Sequence, residues 1–222
     1  MSTSQLPYND HATALRRRLG GRVQKVAIDA RLGCPNRDGK LGWGGCTFCL
    51  NEAFSPAYCR ESQSITEQID RGVAFHSARR RVADSYIAYF QAGTNTNASV
   101  DVLKKLYLEA LNHPKIGGII IGTRPDCLPD DVVELLARIN REKPVSVELG
   151  LQTVHDETAE GFNRGYKTEV YFDALRRLKS AGVEVVTHII LGLPGETPEM
   201  MAETTRQVCR AGTDGVKFHL LH

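Results

Sequence analysis

One pattern narrows what this 222-residue chain can fold into more than any other: short apolar runs alternate with helical stretches, so that six of the first enclose five of the second. VQKVAIDARL (23–32), SYIAYFQA (85–92), IGGIIIGT (116–123), VSVELGLQT (145–153), VEVVTHIILGL (183–193) and DGVKFHLLH (214–222) are rich in β-branched and aromatic residues, the signature of strands. Between them, 64–81, 99–114, 129–143, 169–182 and 197–212 carry apolar residues at helical spacing. Their ends agree with this. Ser64 or Thr66 and Thr197 are good N-caps, Pro198 fits a first helical position, and Gly182 closes the fourth helix. A strand that returns to its sheet through a helix returns parallel, so the fold class is α/β with parallel strands. Two closures fit: an open doubly wound sheet, and a partial (β/α)6 barrel of the TIM type. In both, ligands bind at the C-terminal ends of the strands.

Covering such a sheet takes apolar mass, and a composition 41% hydrophobic and 24% charged supplies it. Residues 1–22 read as a loosely ordered lead-in, and the sheet domain is expected over 23–222. The last strand pattern reaches His222 with no element after it, so a C-terminal continuation is expected to be lacking. No run approaches the ~18 apolar residues of a membrane span, and the polar N-terminus has no signal-peptide core, which points to a cytoplasmic location and no membrane partner. A net charge of +2 does not mark a nucleic-acid binder. Two arginine runs, Arg16–Arg18 and Arg79–Arg81, suit solvated faces first and a polyanion contact second.

Inside cells thiols stay reduced, so clustered cysteines indicate metal or redox chemistry. Three of the six cysteines fall in CPNRDGKLGWGGCTFC (34–49), the loop after the first strand. Eleven residues separate Cys34 from Cys46, and two separate Cys46 from Cys49. Three thiols cannot pair off and fall one short of a closed tetrahedral zinc site. Cys59 is a possible fourth ligand; Cys127 and Cys209 lie in a later loop and helix. A [4Fe–4S] cluster on three thiolates leaves one iron open to a small molecule, and N–H groups of a loop containing Gly39, Gly42, Gly44 and Gly45 suit its sulfurs. Spacing alone leaves zinc and cluster level.

The surroundings tilt the balance. Phe48 directly precedes the last cysteine, and IGTRPDC (121–127), VELGLQT (147–153), NRGY (163–166), HIILGLPGE (188–196) and GVKFHLLH (215–222) follow in order, with YFQAGTNT (89–96) before them. Together these resemble the radical S-adenosylmethionine (SAM) superfamily, in particular its YhcC/YtqA-like group, which is related to the Elongator catalytic subunit. The resemblance covers about residues 23–222. The long first cysteine gap departs from the superfamily's common spacing but is similar to the longer gaps of this group and of the Elongator branch. The chain departs from the group in two places: Gly93 and Asn97 where it has bulkier aromatics, and Tyr166 in place of a histidine.

The resemblance implies a partial barrel with the cluster loop after its first strand. It implies Cys34, Cys46 and Cys49 as ligands of a [4Fe–4S] cluster, with SAM chelating the fourth iron. Phe48 and Ile190 would lie against the adenine, Gln91 and Thr94 would take the SAM amino group, and Glu148 joins the cofactor-binding set. Gln152 and Arg164, twelve residues apart, match a SAM-contacting Gln–Arg pair, with Arg164 on the methionyl carboxylate. Taken singly, each has a plainer reading. Phe48 would be core, Glu148 a carboxylate paired with an arginine, Gln152 and Arg164 loop hydrogen bonds, His188 a satisfied core histidine, Cys59 an inert thiol. What the resemblance implies for activity is reductive cleavage of SAM to a 5′-deoxyadenosyl radical that abstracts hydrogen. It also implies a reductase such as flavodoxin or ferredoxin as partner and, extended from the Elongator branch, modification of the tRNA wobble uridine. The other readings are a radical SAM enzyme acting on a small metabolite, a zinc-stabilised β/α binding module, and an Fe–S electron carrier.

Overall fold

A computed structural model describes residues 8–50, 53 and 55–221. Its helices are α1 His11–Leu19, α2 Ala57–Glu61, α3 Ile65–Ala78, α4 Val100–Asn112, α5 Asp130–Asn140, α6 Asp156–Gly161, α7 Thr168–Ser180 and α8 Pro198–Arg210. Six strands, β1 Val23–Ile28, β2 Ser85–Phe90, β3 Ile116–Thr123, β4 Val145–Gln152, β5 Glu184–Leu191 and β6 Gly215–Leu220, form one sheet in sequential order, each neighbouring pair parallel. A doubly wound sheet reverses direction at a switch point, and this one never does. Right-handed crossovers then lay every connecting helix on one face, and the sheet curls around the other as a partial barrel.

The strand period of two divides the residues between these faces. Val26, Ile28, Ala88, Phe90, Ile119, Ile121, Val147, Leu149, Val185 and Ile189 point outward into a buried core with Ile69, Leu103, Tyr107, Leu136, Leu175 and Leu178 of the helices. At ~1.5–3 kcal/mol for each fully buried large aliphatic side chain, this layer is the main stabilising one. The helix ends follow the expected chemistry. Ser64 accepts from the Glu67 amide at the start of α3, and Thr197 accepts from the Met200 amide at the start of α8.

The lead-in is where expectation and structure part. Residues 11–19 form a helix, with the Asp10 side chain accepting from the Thr13 amide and Gly20 closing it in a left-handed conformation at φ 72°. Leu15, Leu19 and Val23 pack against Ile87, Tyr89 and Ile120 on the inner face of the sheet. The helix therefore plugs the barrel near the N-terminal ends of its strands. Arg18 of the first arginine run pairs with Glu184 at 2.8 Å. On the last strand Phe218 and Leu220 are exposed; His222 lies outside the described residues.

Candidate active site

The cysteine loop leaves β1 and is pinned from two sides. Its own turns are closed by Arg37 and Asp38 amides on the Cys34 carbonyl (2.8 and 3.1 Å) and the Cys49 amide on the Cys46 carbonyl (3.0 Å). The loop after α6 grips it from across the barrel. The Asn163 side chain donates to the carbonyls of Trp43 (3.1 Å) and Gly45 (2.9 Å), and Asn36 donates to the Asn163 carbonyl at 2.7 Å. Gly165, at φ 83°, sits where a Cβ would come within 2.9 Å of Asn36 Oδ1. Gly93, at φ 76°, lies against the base of the loop, where a Cβ would stand 2.5 Å from the Gly33 carbonyl oxygen. A bulkier residue there would collide with backbone.

All ten residues singled out in the sequence, Cys34, Cys46, Phe48, Cys49, Gln91, Thr94, Glu148, Gln152, Arg164 and Ile190, line a single cavity of about 540 Å³ at the C-terminal ends of the strands. The cysteines are free thiols. Burial pushes the Cys46 thiol up to about 11, with the nearby Arg124 charge working against the rise. Phe48 packs edge-on to Phe162 at 5.1 Å and belongs to an apolar cluster with Ile190 and Leu193. Gln152 ends β4 at φ 69°, after a register shift between Gly150 and Gln152. That conformation is uncommon outside glycine and turns the chain out of the sheet at the cavity wall. Cys59 is buried away from this cavity, its thiol on the Ala27 carbonyl (3.3 Å) and raised to about 11 by burial.

The donor set suits an iron–sulfur cluster. Among the described residues no three His, Cys, Asp or Glu side chains converge as a single bound ion requires. The three loop thiols instead share one cavity wall, and soft thiolates at separated corners are what a cubane cluster takes.

Arg164 differs from expectation. Its guanidinium is fully buried and every N–H is engaged: Nε with the Tyr166 carbonyl, Nη1 with the carbonyls of Leu151 and Thr153, Nη2 with Asp156 and Thr168. No edge is left for a carboxylate, so its geometry is that of a tie for the loop after β4. The guanidinium with spare capacity is Arg124, which residue type and spacing do not single out although TRPD begins at the exit of β3. Arg124 holds Asp126 through Nε and Nη2 (3.0 and 2.7 Å), while its Nη1 makes no hydrogen bond among the described residues. Burial disfavours its charge, but Asp126 more than restores it. Tyr166 stands between the two arginines, 4.9 and 4.7 Å from their guanidinium carbons, and donates to the Gly150 carbonyl at 2.8 Å.

Glu148 also has different partners from those expected. Among the described residues no arginine meets it. Lys25 Nζ reaches Oε1 at 3.0 Å, and Oε2 accepts from Tyr89 (2.5 Å), His188 (2.7 Å) and Lys217 (2.9 Å). Burial would raise this carboxyl, but the His188 hydrogen bond and the two lysines outweigh it and hold the group far below the usual range. Burial keeps His188 neutral, so it donates through Nε2–H. With four donors already on its oxygens, Glu148 organises the inner wall rather than offering lone pairs to a cofactor.

The family model of the radical SAM superfamily matches residues 33–208. The chain belongs to the radical SAM superfamily. It is 41% identical to YtqA of Bacillus subtilis over 100% of this chain and 68% of YtqA, and 40% identical to YhcC of Escherichia coli over 94% and 66%. The chain thus spans about two thirds of the length of these curated relatives. A shorter stretch, 30% identical over 40% of this chain and 16% of that protein, is similar to the tRNA uridine(34) acetyltransferase of Methanocaldococcus jannaschii. In fold it resembles the archaeal Methanocaldococcus infernus Elp3, with a TM-score of 0.61 at 19% identity over 89% of this chain and 45% of that one. Radical SAM enzymes work with a [4Fe–4S] cluster and SAM, and this chain carries their barrel. Among the described residues no helix is long and apolar enough to cross a membrane.

Proposed function

We propose that this radical SAM barrel abstracts a hydrogen atom from its substrate by way of a 5′-deoxyadenosyl radical, and that the substrate is a tRNA uridine. One observation carries the chemistry: the three cysteines and the predicted SAM contacts share one cavity at the C-terminal ends of the strands. Cys34, Cys46 and Cys49 hold the cluster. When bound, cluster and SAM supply a one-electron cleavage that yields methionine and the radical. The chain's part is to bind, orient and keep water out. Phe48 and Ile190 give the adenine an apolar wall. Gln91 and Thr94 receive the amino group, and Gln152, turned out of β4, takes a polar edge of the nucleoside. Arg124, whose Nη1 is unspent, meets the methionyl carboxylate in place of Arg164. Similarity to the tRNA uridine(34) acetyltransferase and the arginine runs at 16–18 and 79–81 support the choice of tRNA. A reductase of the flavodoxin or ferredoxin kind would supply the electron.

Anaerobic reconstitution tests the chemistry. The wild type is expected to bind about four irons and four sulfides, to absorb near ~400 nm and to release 5′-deoxyadenosine from SAM under reduction. Cys34→Ala, Cys46→Ala and Cys49→Ala should each lose 5′-deoxyadenosine formation, and Cys59→Ala should retain it. Turnover by Cys46→Ala would refute the ligand set. Nucleosides of tRNA from cells with and without the gene test the substrate; identical profiles would remove tRNA.

A further inference from the structure

Below the level assigned to SAM, the same strands carry a second polar layer. Tyr89 precedes Gln91 by two residues, Glu148 precedes Gln152 by four, and His188 precedes Ile190 by two, all lining the cavity. Two residues along a strand are about 6.6 Å, so this layer lies roughly one such step deeper in the barrel. Lys25 of β1 and Lys217 of β6, the latter paired with His188, complete it, and His219, paired with Ile190, stands one step above it on β6. The ring of His219 is 5.0 Å from that of His188.

This layer has unspent capacity of one kind. An ammonium has three N–H donors, and Lys217 uses two, on Glu148 and on the Tyr89 hydroxyl (2.9 Å each). His219 lines the cavity, and its Nε2 is buried with no hydrogen-bond partner among the described residues. A buried polar atom without a partner is destabilising, and here it borders a cavity that a ligand could fill. The charges do not cancel: two lysines face one carboxylate, and the nearby Glu184 is taken up by Arg18 at 2.8 Å. An excess of one positive charge matches a monoanion. A dianion would overshoot it and meet the Glu148 carboxylate as well.

We infer that the barrel floor formed by Lys217, Tyr89 and the Glu148–Lys25 pair, with His219 one step above it, is a binding site for a carboxylate carried by the substrate, which on a tRNA uridine means an acidic side chain already attached to the base. Lys217 donates its third N–H and His219 its Nε2–H to the two oxygens. Glu148 fixes both lysines, His188 and Tyr89, and holds the bound anion off by its own charge from sliding deeper. A carboxylate held between Lys217 and His219 presents the carbon a few bonds away to the radical. The inference rests on the radical SAM reading of the cavity and names the chemical class of what that cavity attacks.

The test uses the full chain, reconstituted and loaded with SAM, labelled with ¹³C and ¹⁵N in its histidines. SAM binding is read first, from the change it makes in the EPR spectrum of the reduced cluster. The NMR titration follows on the oxidised cluster, with acetate and inorganic phosphate as probes. Acetate is expected to shift the His219 ring signals saturably in the millimolar range, with at least tenfold weaker binding in Lys217→Met and in His219→Phe. Phosphate is expected to bind at least tenfold more weakly than acetate. Two variants are used because either alone could disturb the Glu148 network; retained His188 signals identify the one that keeps it. If SAM leaves the cluster spectrum unchanged, the proposed function fails. If SAM binds but acetate gives no saturable shift, or phosphate binds as well as acetate, or both variants bind acetate like the wild type, the carboxylate site fails and the proposed function stands.

Discussion

Residues of one type divide here by how many of their hydrogen bonds are already made. Arg164 and Arg124 border the same cavity, yet one has five N–H groups committed within the chain and the other keeps Nη1 unspent. That difference separates stability from binding. Arg164→Ala strips the buried partner from Asp156 and leaves three carbonyls without donors, so it should destabilise the fold by about 3–5 kcal/mol. Arg124→Gln removes a cation that faces the thiol wall, and should weaken SAM binding by about 1.5–3 kcal/mol with a smaller loss of stability. Chemical denaturation and SAM titration of the two reconstituted variants check the pair. A stable Arg164→Ala with lost SAM affinity would reverse the assignment. Spacing and residue type could not tell these arginines apart, since both sit in loops between regular elements, Arg124 after β3 and Arg164 after α6. What decides is which carbonyls the folded loop aims at each.

At the level of elements, the sheet was written in the sequence and its plug was not. The five crossover helices each pair an apolar stripe with buried strands such as IGGIIIGT, so local pattern and global fold agree. The segment HATALRRRL offers the core little beyond Leu15 and Leu19, and three arginines crowd its last turn. Its apolar stripe is too thin to announce a helix, and tertiary packing on Ile87, Tyr89 and Ile120 makes up the difference. The site divides the same way. The three cysteines were legible because few ligand types hold a cluster, whereas Lys25, Tyr89, Lys217 and His219 read as ordinary strand residues until the curl of the sheet brings them around Glu148. The plug supports that layer from beneath, through its contact with Tyr89. Leu15→Ser and Leu19→Ser should each cost about 1–2 kcal/mol, the share expected for half-buried leucines. They should also loosen Tyr89, visible as faster amide exchange in β2. Full stability with unchanged exchange in β2 would mean that α1 merely rests on the surface.

The whole molecule combines a barrel that is apolar outside with an inner face where ionisable groups are held in fixed protonation states. Its stability should therefore depend on pH in one direction. Burial lowers the pKa of His11, His76, His188 and His219, the last to about 4, where any proton on His188 and the Lys217 charge add to the effect. An unfolded histidine titrates near ~6.5. As pH falls below that value, the unfolded chain takes up protons that the fold refuses, and stability falls until the folded histidines titrate in turn. Glu148 acts in a lower window. Its folded pKa is depressed, so the stability it contributes is present above the unfolded value near ~4.3 and is lost as pH drops below it. Both windows have the same sign. The melting temperature should be flat above pH ~7, decline from about 6.5 and steepen below about 4.5. His219 faces Lys217, His188 and Glu148 and is partly open to the cavity, so after discounting for solvent its share is on the order of 1 kcal/mol. His219→Phe should flatten the upper window by that amount, and Glu148→Gln should remove the lower one while leaving the upper. Melting curves from pH 8 to 3.5 at constant ionic strength read both. A melting temperature unchanged between pH 7 and 5 would mean that the inner face carries charge as readily folded as unfolded, and the barrel floor would then be too wet to hold a carboxylate selectively.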